Sequence, residues 1–148
     1  MRVVVQRVKR AEVRVHGDPV GAIGGGLLLY AGFRREDGDP DLAWMADKVV
    51  SLRIFEDNAG KMNRSALEVG GQLLVVSQFT LYGDARKGRR PSFDGAAPAE
   101  IARLLFAKFV ERLRPSGLTI FAGRFQEHMH VESVNDGPVT ILLESPIG

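Results

Sequence analysis

Apolar and polar positions alternate from the first residues of the chain. Val3 and Val5, then Val8, lean toward strand, and Ala11, Val13 and Val15 interleave with Glu12, Arg14 and His16 as in a half-buried strand. Gly17-Asp18-Pro19 predicts a turn and Val20 to Ile23 a short return strand. Gly24-Gly25-Gly26 leads into Leu27-Leu28-Leu29-Tyr30-Ala31, the unbroken apolar run of a strand covered on both faces. The period then becomes helical. Asp39-Pro40 supplies an N-cap acceptor and a proline at the first helical position, and Leu42, Met45, Ala46, Val49 and Val50 follow on one face. Ile54-Phe55 begins a strand and Asp57-Asn58-Ala59-Gly60 a turn, while Gln72 to Thr80 is a strong strand candidate, apolar first and polar at its end. A second helix is predicted from about Pro98 to Leu113, with Ile101, Leu104, Leu105, Lys108 and Phe109 at helical spacing, stopped by Arg114-Pro115-Ser116-Gly117. Leu118 to Ala122, Met129 to Val134 and Val139 to Glu144 complete the strands, with Asn135 to Pro138 as a turn between the last two.

Two helices set among groups of strands, without repeat, low-complexity tract or linker, predict one α+β domain over residues 1–148. Its sheet is expected to be mostly antiparallel, or an open barrel, with two main helices. The chain contains no cysteine, which excludes disulfides, a thiol nucleophile, iron–sulfur clusters and thiolate zinc sites. The opening segment is too interrupted by charge for a signal sequence, and no apolar run approaches the length of a membrane span, so a soluble cytoplasmic protein is expected. Lys and Arg outnumber Asp and Glu by 20 to 18, an excess too small to indicate a nucleic-acid partner by itself.

Where the cations sit is more informative. Arg86, Lys87, Arg89 and Arg90 crowd five positions of the long segment between Tyr82 and Pro98, around the pliable Gly88. Such a cluster is either a solvated loop or a contact with nucleic-acid phosphates. Phe93 beside it is expected to be a core anchor, with stacking on an unpaired base as the alternative. Ser77-Gln78-Phe79-Thr80 ends a strand in polar side chains. Its hydroxyls would need a base to act as nucleophiles, whereas its backbone N–H groups are candidates for holding an oxyanion. His128-x-His130 would place two imidazoles on one strand face, a possible metal pair set against two ordinary surface histidines. The glycine triplet at Gly24 precedes a strand and lacks a following Lys-Ser/Thr, so a bulge or close backbone approach is expected there instead of a phosphate loop. Gly137-Pro138 is a dipeptide able to adopt the cis form, with no Cβ on the glycine to obstruct a ligand.

Three segments converge on one family. Leu74-Val75-Val76-Ser77-Gln78-Phe79-Thr80-Leu81, Arg90-Pro91-Ser92-Phe93 and Val134-Asn135-Asp136-Gly137-Pro138-Val139-Thr140 resemble the signature segments of D-aminoacyl-tRNA deacylases. Gln6-Arg7-Val8, Ile23-Gly24-x-Gly26-Leu27, Arg53-Ile54-Phe55 and Gly60-Lys61-Met62-Asn63 resemble that family too, in order and over essentially the whole chain. Tyr82-Gly83 departs from the small residues expected after Leu81, and His128 and His130 match no required family histidine.

The resemblance implies a D-aminoacyl-tRNA deacylase fold and a homodimer with its active sites at the subunit interface. Each pocket would join Ser77, Gln78, Phe79 and Thr80 of one subunit to a cis Gly137-Pro138 of the other, with Arg7 supporting that motif. It implies hydrolysis of the ester in D-aminoacyl-tRNA, refusal of the L-form, and acceptance of mischarged glycyl-tRNA. Catalysis would rest on the Phe79 and Thr80 backbone, assisted by the tRNA 2′-hydroxyl, with Thr80 as nucleophile the less favoured route. Arg86, Lys87, Arg89 and Arg90 would touch the tRNA, and no metal or cofactor is expected. The competing expectations are a non-catalytic tRNA-binding module and a metal-dependent hydrolase using His128 and His130.

Overall fold

The computed structural model describes residues 1–146. Its organising element is β1 (Arg2–Val15), a single 14-residue strand that pairs antiparallel with three others. The first half pairs with β3 (Gly26–Gly32), the second with β2 (Asp18–Ile23), and β8 (His130–Glu144) runs along the other edge of both halves. β6 (Gln72–Ser77) joins β3 in parallel, and β7 (Ile120–Ala122) joins β6 in parallel. The sheet order is β2-β1-β3-β6-β7 with β8 on β1. The expected antiparallel character is found around β1, while β6 makes the sheet mixed.

Two helices cover one face. α1 (Asp39–Ser51) buries Leu42, Met45, Ala46, Val49 and Val50, and α3 (Ala99–Leu113) buries Ala102, Leu105, Phe106, Phe109, Val110 and Leu113. They share a core with Val3, Val5, Leu27, Leu29, Leu73 and Val75, where each fully enclosed large side chain contributes roughly 1.5–3 kcal/mol. A second cluster, built on Val8, Ala11, Val13, Ile23, Leu28, Leu74 and Val76, fills the other side of β3 and β6. Leu28 and Leu74 thus point away from their neighbours Leu27 and Leu73, as a strand buried on both faces requires. The curled second half of β1 and the β8 segment beginning at His130 enclose that cluster, giving a nearly closed barrel.

Several expectations are corrected. Gly38, not Asp39, is the N-cap of α1, and its N–H donates to the Asp41 carboxylate at 2.9 Å. The short elements β4 (Phe55–Glu56), β5 (Met62–Arg64) and α2 (Ala66–Val69) add a small hairpin and one helical turn. The turn into β2 sits one residue early, at His16 and Gly17, both with positive φ (51° and 82°). The β6 strand ends at Ser77, and the chain winds into a 3-10 turn over Phe79–Tyr82 instead of continuing extended to Thr80. The predicted turn at Asn135 to Pro138 is absent, because β8 runs through it as one 15-residue strand. Its pairing partner shifts from Gln6↔Thr140 to Val8↔Asn135, so the extra residues of β8 are accommodated as a bulge. The glycine triplet behaves as expected: a Cβ on Gly26 would lie 1.9 Å from the Gln72 carbonyl oxygen.

Candidate active site

The end of β6 meets the start of α3 at an open cavity of about 610 Å³. Val76, Ser77, Gln78 and Phe79 line it from the strand end and the following turn, and Ala97, Ala99 and Ala102 from the α3 side. Residues 125–129 and Val131 supply the remaining wall. The alanines keep this side shallow. Backbone bonds fix the two ends together: Gln78 N–H donates to the Ala31 carbonyl at 2.8 Å, and Ala97 N–H to the Phe33 carbonyl at 2.8 Å. Ala31 lies at the end of β3 and Phe33 just beyond it, so the β3 end sets the separation between the turn and the helix.

Phe79 and Thr80 open the 3-10 turn, where N–H groups have no intrahelical carbonyl to bond. Leu81 N–H bonds the Gln78 carbonyl at 3.2 Å and Gly83 N–H the Thr80 carbonyl at 2.9 Å, which closes the turn behind them. The Thr80 hydroxyl accepts a hydrogen bond from the Gln78 side-chain amide. An amide is not a base, so this partner does nothing to generate an alkoxide.

The turn is also held from outside the cavity. Arg2 Nη1 donates to the Leu81 carbonyl at 2.9 Å, and its guanidinium stands 4.5 Å from the centre of the Tyr82 ring. Next to it, the Met1 ammonium donates to Asp37 Oδ1 at 2.8 Å and Ser145 Oγ at 2.6 Å, and Arg34 bonds the same Asp37 oxygen. Burial lowers the Met1 ammonium pKa, against the opposing pull of Asp37. Tyr82 is buried, and burial, aided by the negative charge of Asp37, pushes its hydroxyl pKa up. Tyr82-Gly83, a departure at sequence level, therefore serves as the packed underside of the turn.

Gly137 and Pro138 are not part of this cavity. They are exposed on β8, joined by a cis peptide bond, with Gly137 at φ +137°. A Cβ at Gly137 would meet Val139 Cγ2 at 2.8 Å and Arg7 Nη2 at 3.3 Å. Arg7, only 7% exposed, donates to the Ile54 carbonyl at 2.7 Å and the Asp136 carbonyl at 3.0 Å. Asn135 completes the bulge by accepting from Val139 N–H at 2.9 Å and donating to Thr140 Oγ1 at 3.0 Å.

The basic segment is a hairpin-like loop closed by paired backbone bonds between Asp84 and Ser92, at 2.7 and 2.8 Å. Its four cations are exposed, but they are not equivalent. Arg86 is tied to Asp84 by a 2.6 Å contact, and hydrogen bonding from Arg86 holds the Asp84 carboxyl at a pKa of about 2. Phe93 corrects an expectation. It is 38% exposed and packs against Phe79, itself 54% exposed, with ring centres 5.1 Å apart, so it lies outside both cores.

His128 also differs from expectation. It precedes β8, so it and His130 do not share a strand face; their rings meet edge-on, 5.0 Å apart. Among the described residues, no group of three or more His, Asp or Glu is placed to hold a metal ion. Sequence reasoning missed Ala97, the α3 residues Ala99 and Ala102, and the 125–129 wall apart from His128, which lines the cavity. The alanines at 97, 99 and 102 carry a signal in retrospect, small residues where a helix begins, whereas the wall has no periodicity to reveal it.

Barrel, flanking helices and a cavity at the end of a parallel strand pair define the structural class, and comparison with known proteins sharpens it. A solved structure titled c-Myc DNA Unwinding Element Binding Protein superposes with a TM-score of 0.93 at 43% identity, covering 99% of this chain and 100% of that one. A probable eukaryotic D-amino acid tRNA deacylase shares the fold, with a TM-score of 0.85 at 19% identity over 96% of this chain and 97% of its own. The D-aminoacyl-tRNA deacylase of Chlorobaculum parvum is 58% identical over 147 residues, 99% of each chain. That of Thermotoga petrophila is 57% identical over 145 residues, 98% of this chain and 97% of its own. The profile of D-Tyr-tRNA(Tyr) deacylase matches residues 4–144, and the chain belongs to that family.

Proposed function

We propose that this protein hydrolyses the ester joining a D-amino acid to the terminal adenosine of tRNA, releasing free amino acid and tRNA. The cavity at the β6 end supports this: Ser77, Gln78 and Phe79 line it, and Thr80 follows Phe79 in the same turn, in a chain of this family. Water attacks the ester carbonyl, and the tetrahedral oxyanion is held by the N–H groups of Phe79 and Thr80. One preorganised donor of this kind is worth roughly 2.7–4 kcal/mol. The tRNA 2′-hydroxyl assists the attacking water, and Thr80 does not form a covalent intermediate. The Gln78 amide on the Thr80 hydroxyl supports that choice. The steps use no metal or cofactor.

Selectivity comes from a second subunit. Gly137 and Pro138 lie outside the cavity of their own chain, on an exposed strand where Leu142 is 64% exposed. In a homodimer the partner's Gly137-Pro138 main chain would enter the cavity and present carbonyls to the substrate's α-amino group. A D-residue then directs its side chain into open space, whereas an L-residue clashes with that boundary. Glycine has no side chain to clash, so mischarged glycyl-tRNA is also a substrate. Lys87, Arg89 and Arg90, with Arg86 in a lesser role, contact tRNA phosphates, and the protein works in the cytoplasm.

The test is ester loss from D-Tyr-tRNA and L-Tyr-tRNA in parallel, with and without EDTA. Rapid loss from the D-form alone, unaffected by EDTA, is expected. Equal rates on both, or no loss from either, would overturn the proposal, and EDTA-sensitive hydrolysis would return His128 and His130 to consideration.

A further inference from the structure

We infer that Phe93 is a positioning residue for hydrolysis, keeping the Phe79–Thr80 turn aimed into the cavity; this rests on the site proposed above. Phe79 lines the cavity and its ring packs against Phe93, at 5.1 Å between ring centres and 59° between planes. With more than half its surface open, Phe79 has no deep core contact to fix it. Phe93 is itself anchored through the chain. Ser92 is bonded in both directions to Asp84, and the Phe93 carbonyl accepts from Ala96 N–H at 3.0 Å, one residue before Ala97 ties the segment to β3.

Gly83 makes this packing possible. A Cβ there would lie 3.0 Å from Phe93 Cε1 and 3.0 Å from the Thr80 carbonyl oxygen, the atom that closes the turn by accepting from Gly83 N–H. Ring, glycine and turn carbonyl therefore form one contact. Phe93 stands three residues after Arg90, next to the Asp84–Ser92 pair that closes the cationic loop, so a single side chain joins the loop base to the turn. A tilted contact between two part-exposed rings is enough to restrict an exposed turn but too little to determine the fold.

The experiment compares Phe93→Ala, Phe93→Tyr and Gly83→Ala on D-Tyr-tRNA, measuring kcat and KM separately with Tm as a control. Phe93→Ala is expected to lower kcat about tenfold with KM changed less than about twofold, because misplaced donors cost turnover more than binding. Phe93→Tyr restores the ring and is expected to recover kcat to within about twofold. Gly83→Ala, which pushes Phe93 and the Thr80 carbonyl apart, is expected to reproduce the kcat loss. If Phe93→Ala fails to fold, Gly83→Ala with Phe93→Tyr decides by the same criteria. Unchanged kcat in the ring-deleted or ring-displaced variant, a loss confined to KM, or no recovery with tyrosine would overturn the inference. Failure of the underlying site is read separately from Ala99→Trp, which fills the cavity from the exposed start of α3. Full activity in that variant would reject the cavity as the site, whatever Phe93 does.

Discussion

Arg7 reaches across from β1 and donates through Nε to the carbonyl oxygen of Asp136 at 3.0 Å, the residue immediately before Gly137. Its other end bonds the Ile54 carbonyl, so one buried guanidinium ties the β8 bulge to the segment after α1. Arg7→Ala leaves two carbonyls without this donor, at roughly 1–3 kcal/mol for each that stays buried. A Tm drop of several degrees is expected, with loss of D-Tyr-tRNA hydrolysis. Arg7→Lys retains the charge but not the fork, and is expected to recover stability only in part. Thermal melts and ester-loss assays check both.

Gly137 has the φ of +137° that side-chain-bearing residues rarely adopt, and a Cβ there would strike Val139. Gly137→Ala is expected to destabilise by about 1–2 kcal/mol. Turnover of D-Tyr-tRNA falls by more than that stability change explains, because the displaced chain carries the proposed chiral boundary. Denaturation curves beside kinetics separate the two effects.

A site shared between subunits makes a complementation prediction. Ala99→Trp blocks the cavity and Gly137→Ala spoils the donor strand, so each homodimer is expected to be inactive. Random mixing after joint refolding gives hybrids with one intact pocket, and about a quarter of wild-type activity should return. Independent monomers would show no recovery.

Thr80→Ala removes the hydroxyl but leaves the backbone N–H. If that N–H and the tRNA 2′-hydroxyl carry the reaction, kcat falls less than about tenfold. Complete loss of turnover with unchanged binding and Tm would instead make Thr80 the nucleophile.

The loop cations differ in availability. Removing Lys87, Arg89 and Arg90 together is expected to raise KM and to flatten the salt dependence by roughly 0.7–0.9 logarithmic units for each lost phosphate contact. Arg86→Ala does less, because Arg86 is bound to Asp84. The carboxyl of Asp84 is held at about 2, below its ordinary 3.8, so its ion pair is complete above the ordinary value and is lost as pH falls toward 2. An NMR titration of Asp84 should show that midpoint, returning toward the ordinary value in Arg86→Ala.

The sequence by itself determined the strands around Val3–Val15 and Leu27–Ala31 and both principal helices, and it singled out Ser77 to Thr80 and Gly137-Pro138 as candidates. Periodicity encodes burial, and these segments bury continuous faces. It also carried the family resemblance that the profile match then showed. Tertiary structure alone decided that β6 stops at Ser77, that β8 runs straight through Asn135 to Pro138, and that Phe93 leaves the core to pack on Phe79. Each of these depends on a partner distant in the chain. Ala31 takes the Gln78 N–H, Arg7 takes the Asp136 carbonyl, and β1 supplies the ladder that turns a predicted turn into a bulged strand. Local patterns of apolar and polar residues specify which faces are buried; hydrogen bonds across such sequence separations specify where an extended chain must bend.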